Sequence, residues 1–215
     1  MAAPFTELKI ALKLYNLSDS ALKDTYFFDS ARQQLTADWV KYRFAYVISQ
    51  TPAVKGVTPN VSWSFKQADI TETDLVCYIV GTTADSIIKS KSFATPANRA
   101  GALDAGLTVI GDARGNLSEV YLTGKVVPKE LANIICHELM HNKCKLDNSM
   151  HTKPNVNMGA SPTGEGNFIA AGDLSLLKPV LATKVKQYTD LLDGVAPGST
   201  TRAASTVKDE APPTD

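Results

Sequence analysis

Cysteine, histidine and tryptophan are scarce in these 215 residues, with three, three and two copies. The three cysteines, Cys77, Cys136 and Cys144, are an odd number at unrelated spacings, which argues against a disulfide framework and for reduced thiols. An excess of one charge is also missing: 22 Lys+Arg stand against 22 Asp+Glu, and no basic run occurs. Phosphate backbones are gripped by clustered cations, so no nucleic-acid partner is expected. No apolar run approaches the ~20 residues of a membrane span, so no membrane partner is expected either. The start, Met1-Ala2-Ala3-Pro4-Phe5-Thr6-Glu7, lacks the basic region and apolar stretch of a signal peptide. The expectation is a monomer that is cytoplasmic or exported by a signal-independent secretion or injection system.

The residues present are enough for a core. Hydrophobic residues make up 44% and charged residues 20%, a globular rather than a disordered balance at single-domain length. Ile10, Leu12 and Leu14 share one side at period two and predict a half-buried strand. Ala31, Leu35, Trp39, Tyr42 and Tyr46 recur at three- and four-residue steps, predicting an amphipathic helix over 29–50 that stops before Pro52. Alternation over 61–66 predicts a second strand, and the apolar run 74–81 a central strand covered on both faces. Short strands come next at 107–110 and 119–122, joined by the turn-rich segment 111–116.

Pro128 suits the first turn of a helix reaching Lys143 that is apolar almost all round, hence buried. A loop rich in Asn, Pro and Gly spans 147–167. A last helix is expected with Leu174, Leu177, Val180, Leu181, Val185 and Tyr188 as its apolar positions. From Gly194 the composition predicts a disordered tail, leaving residues 1–193 as the domain. The order of elements predicts an α+β class with a mixed, twisted sheet, a long N-terminal helix, a buried central helix and a C-terminal helix.

All three histidines, His137, His141 and His151, fall within fifteen residues. His137 and His141 are one helical turn apart on one face, so two imidazoles can grip one cation. Zinc favours neutral imidazole in a tetrahedral shell, and a catalytic site keeps three protein ligands and a water. Glu138 can reach that water as general base while the ion lowers its pKa toward ~7. This is the logic of the His-Glu-x-x-His motif. Zn2+ is therefore the expected cofactor and a peptide or protein the expected substrate. Substrate would lie extended along a sheet edge, at the strand near 107–110 or that near 120–122.

His137-Glu138-Leu139-Met140-His141 resembles the shared motif of the zincin metallopeptidases, and the chain is similar to a distant metzincin. That resemblance implies a zincin-like domain and hydrolysis of peptide bonds. It also implies a third ligand at Asp147, six residues past His141, and a methionine turn at Met158. A compact domain without a signal peptide and with a disordered tail adds the expectation of a secreted or injected effector or toxin peptidase. Metzincins have glycine three residues after the second histidine, whereas this chain has Cys144, so the exit from the helix must be built differently. His151 competes with Asp147 as third ligand, with Cys144 and Glu165 behind them. The contrasting expectation is a zinc-stabilised binding or structural protein without turnover, which requires a closed site such as His137, His141, Cys144 and His151.

Overall fold

The computed structural model describes residues 5–15, 30–63, 75–93, 105–122, 127–157, 169–189 and 209–213. Among them the chain is α+β, with a mixed five-stranded sheet and four helices: β1 Glu7–Leu14, α1 Ser30–Ser49, β2 Thr58–Trp63, β3 Leu75–Val80, α2 Ile87–Ser90, β4 Gly106–Val109, β5 Leu117–Tyr121, α3 Pro128–Cys144 and α4 Ala171–Leu177. The strand order is β2-β1-β3-β5-β4. Only the edge strand β4 runs antiparallel to its neighbour, β5.

Strand alternation divides the apolar residues between two layers. Leu8, Ile10, Leu12 and Leu14 of β1, Leu75, Cys77 and Ile79 of β3, and Val120 of β5 face the layer holding α1 and α3. Val76, Tyr78, Val80, Leu107, Val109, Leu117 and Tyr121 face the other layer, with Ile87, Ile88, Phe93 and Tyr188. Every residue of β3 is buried, as its unbroken apolar run predicts. On the second face Glu119 is also buried, and its carboxylate accepts from Ile87 N–H at 2.7 Å, Ile88 N–H at 3.2 Å and the Ser86 and Tyr121 hydroxyls. Burial raises its pKa, but four donors suit the ionised form.

The long helix lies where periodicity puts it, and the expected stripe is buried in part: Trp39 is in the core and Tyr42 packs against it. Ala37, Val40, Phe44 and Val47 enter the core, while Ala31 is exposed and Tyr46 is 44% exposed. Both stripes have three- and four-residue steps. The stripe of Ala37, Val40, Phe44 and Val47 is the one that packs into the core with α3 and β2. The last helix is shorter than its apolar spacing predicts: α4 ends at Leu177. Pro179 lacks an N–H and cannot continue the helix. The chain turns, and Asn116 and Gln187 form a parallel bridge, with Asn116 N–H donating to the Lys186 carbonyl and Tyr188 N–H to the Asn116 carbonyl. Gly115 beneath it has φ +123°, and a Cβ there would stand 2.5 Å from the Gln187 carbonyl carbon. In the expected tail, residues 194–208 lie outside the described residues. Asp209 and Glu210, however, are bonded to α1 and α3. Composition missed these contacts because they are made by charge and main chain rather than apolar surface.

Helix α3 is buried without a break from Leu131 to Lys143, and it carries the Lys143 ammonium inside. That ammonium donates to the Thr183 carbonyl at 2.8 Å, and burial pushes its pKa down to about 8. An unfolded lysine keeps its proton up to 10.5, so between those values the unfolded chain binds more protons and stability rises with pH. Relative to Lys143→Met, wild type should gain stability from pH 8 to 10.5 in urea titrations, because the buried thiols titrate alike in both proteins and cancel in the comparison. Lys143→Met should be the more stable protein at neutral pH.

Candidate metal centre

Helix α3 presents His137 and His141 one turn apart, 6% and 3% exposed. The helix ends at Cys144, and Lys145 takes the left-handed conformation at φ 53°, ψ 39°. The exit turn is thus made one residue later than the metzincin pattern places its glycine. Cys144 stays helical and its Cβ meets no positive φ. Asp147 then caps a short 3-10 turn, Asn148–Thr152, its carboxylate accepting from Ser149 N–H at 2.9 Å. That hydrogen bond holds its carboxyl below the usual carboxylate range. Met150 is buried in the core, which anchors the turn and leaves its neighbour His151 exposed beside the helix pair. Beyond it, Gly172 N–H of α4 donates to the Asn155 carbonyl at 2.8 Å, and Asp173 accepts from Asn157 N–H at 3.0 Å.

The three histidines converge through one kind of atom. Nε2 of His141 is 3.2 Å from Nε2 of His137 and 3.0 Å from Nε2 of His151, and the third side is 3.3 Å. Nitrogens bound at about 2.0–2.1 Å in a tetrahedral shell stand about 3.3–3.4 Å apart. The cluster therefore has nearly the edge lengths of three ligands on one small cation. His141 Nδ1 lies 2.8 Å from the Leu146 carbonyl. A carbonyl only accepts, so the Nδ1 proton belongs there and the Nε2 lone pair points into the cluster. The Nε2 atoms of His137 and His151 face that lone pair, so either an N–H or a cation can stand between the three rings.

Among the described residues this is the only group whose donor atoms could hold a metal ion, all within 4.8 Å. The structure brings His151 to the pair and leaves Asp147 as a helix cap. Cys144 also stands apart, its thiol directed at the Leu176 carbonyl, 3.7 Å away, and its pKa pushed up to about 12 by burial. Met158 and Glu165 lie outside the described residues.

In comparisons with protein-family models, curated proteins and solved structures, nothing matches the chain. The geometry of the site is therefore the guide to its chemistry.

Glu138 is outside the donor group and 2% exposed, lying against the edge of the sheet. The Thr108 hydroxyl of β4 donates to its Oε2 at 2.6 Å. Ser118 of β5 donates to its carbonyl at 3.2 Å, and Asn142 Nδ2 donates to Ser118 Oγ at 3.1 Å. Asn142 in turn exchanges two amide bonds with Gln187, at 2.8 and 3.1 Å, so the polar stripe of α3 is tied to the sheet and the C-terminal segment. Gly106 completes the seat: a Cβ there would stand 2.7 Å from both Cγ and Oε1 of Glu138. Alternation predicts a strand over 107–110 but does not single out Gly106, Thr108 and Ser118 as partners of Glu138. The signal in the sequence was two small polar residues and a glycine on one face of adjacent strands.

A cavity of about 330 Å³ lies between the 153–156 segment and α4, lined by Lys153, Pro154, Val156, Gly172 and Leu176 among others, and none of the three histidines lines it. Two outcomes test the centre. His151→Ala should lower zinc affinity at least about a hundredfold in chelator competition, while Asp147→Ala should change it by no more than about tenfold. Gly106→Ala should cost roughly 1–3 kcal/mol in denaturant melts, the scale of overpacking, and a crystal structure should show Glu138 displaced.

Proposed function

We propose that the chain is a zinc-dependent metallopeptidase with a zincin-like domain, in which His137, His141 and His151 hold the ion and Glu138 is the general base. The supporting observation is the convergence of three Nε2 atoms 3.0–3.3 Å apart beside a separately anchored carboxylate. Zinc fits because an all-imidazole set at tetrahedral spacing suits it, whereas magnesium and calcium favour oxygen donors. When bound, zinc supplies a Lewis acid that acidifies water and polarises a carbonyl.

The chain's own groups do the rest. Glu138 takes a proton from the attacking water and returns it to the departing amine nitrogen, so water adds across the broken C–N bond. Thr108 fixes the carboxylate through Oε2. Strand β4 is the sheet edge beside Glu138, β2 being the other edge, and an extended peptide pairs with it by β-augmentation, so the 107–110 alternative is retained over 120–122, whose strand β5 is flanked by β3 and β4. The competing structural-zinc reading needs a fourth protein ligand, and Cys144 is directed at Leu176 instead.

Glu138→Gln should keep its zinc and fold but lose about 10²–10⁴-fold in hydrolysis of labelled casein, the usual contribution of a general base. A variant that loses its metal would make Glu138 a ligand instead.

A further inference from the structure

Helix α1 carries unusually polar residues on a buried face: Arg32, Gln33, Thr36 and Arg43 are all under 9% exposed. Part of the cover over Arg32 comes from the far end of the chain. Arg32 Nε donates to Asp209 Oδ2 at 3.1 Å across 177 residues, and only 3% and 12% of the two side chains are exposed. The Trp39 indole N–H donates to the Glu210 carbonyl at 2.7 Å. Lys129, in the first turn of α3, places its ammonium 2.8 Å from Glu210 Oε2. The same indole has Lys129 Nζ 5.1 Å and the Arg43 guanidinium carbon 5.3 Å from its ring centroid.

Arg32, Arg43 and Lys129 on this one surface are a local excess of cations in a chain of zero net charge. Two of them meet consecutive acidic side chains, and the indole reads the main chain between those contacts. Side-chain charge together with a main-chain hydrogen bond fixes the register of a bound peptide, which random surface attraction does not. Exposed ion pairs contribute little, but the Arg32–Asp209 pair is largely removed from water, where loss of one partner is felt strongly.

We propose that this α1–α3 surface is a peptide-binding site for an acidic segment, with Asp209–Glu210 of the same chain as its resident ligand. The segment is a reversible clasp. It joins α1 to the first turn of the helix that carries His137 and His141, and an acidic peptide can replace it only when it lets go. This holds whether or not the histidine cluster is catalytic.

The test uses the full chain and a fluorescein-labelled synthetic peptide of residues 205–215. Asp209→Ala/Glu210→Ala vacates the site and should bind the peptide at least about tenfold more tightly than wild type, whose own segment competes. Adding Lys129→Glu to that variant should weaken capture by about tenfold or more, as expected for loss of a charge-assisted contact. Lys129 lies in the first turn of α3, where an acidic side chain suits the helix dipole, and a thermal melt checks that the variant folds. Trp39→Phe, which removes the indole N–H while keeping an aromatic ring, should weaken it as well. Equal binding by wild type and the vacated variant, or no binding by either, would overturn the proposal. So would capture that ignores Lys129→Glu.

Discussion

The polar stripe of a buried helix is the constraint on which the rest of this structure depends. Helix α3 carries Asn133, His137, Glu138, His141, Asn142 and Lys143 at 6% exposure or less. A buried polar group left without a partner costs about 1–3 kcal/mol, so one such helix can cost more than the whole stability of a small domain. The partners are drawn from all over the chain. Arg43 of α1 donates to Asn133, Thr108 of β4 to Glu138, and the exit turn accepts at Leu146 from His141. Gln187 pairs with Asn142, and Thr183 accepts from Lys143. The arrangement that satisfies this helix also assembles the candidate site.

The histidine cluster is the part of that stripe whose Nε2 atoms face one another rather than the sheet. Helix geometry alone brings His137 and His141 together, but His151 arrives through a different device. The left-handed Lys145, the Asp147 cap and the buried Met150 fold the chain after His141 into a short return path. Asp147 is thereby committed to the turn that delivers His151. Its contribution to the centre is positional, and its carboxylate is engaged by Ser149.

Local features were legible in the sequence. The His-Glu-x-x-His helix, the central strand β3 and the lengths of α1 and α3 all come from periodicity and end signals. The hidden features are non-local or degenerate. Two stripes on α1 have equivalent spacing, and only packing against α3 and β2 decides between them. Leu174 to Tyr188 reads as helical by apolar spacing, yet Pro179 ends the helix and Asn116 captures the segment beyond it. Thr108 looks like an ordinary strand residue and Ser118 falls just before the strand expected at 119–122, until β4 and β5 pair in register and turn both toward Glu138. Asp209 and Glu210 carry no apolar signal, so composition has no means of revealing their docking.

The central claim is that three imidazoles, and no thiolate, hold one zinc ion while leaving a position open. X-ray absorption at the zinc edge of the loaded protein tests it directly. One ion per chain is predicted, with three imidazole nitrogens at about 2.0–2.1 Å, one further light atom, and no sulfur. A sulfur shell at about 2.3 Å would place Cys144 on the ion and make the site a closed structural one. Failure of the reduced protein to bind zinc would remove the metal centre altogether.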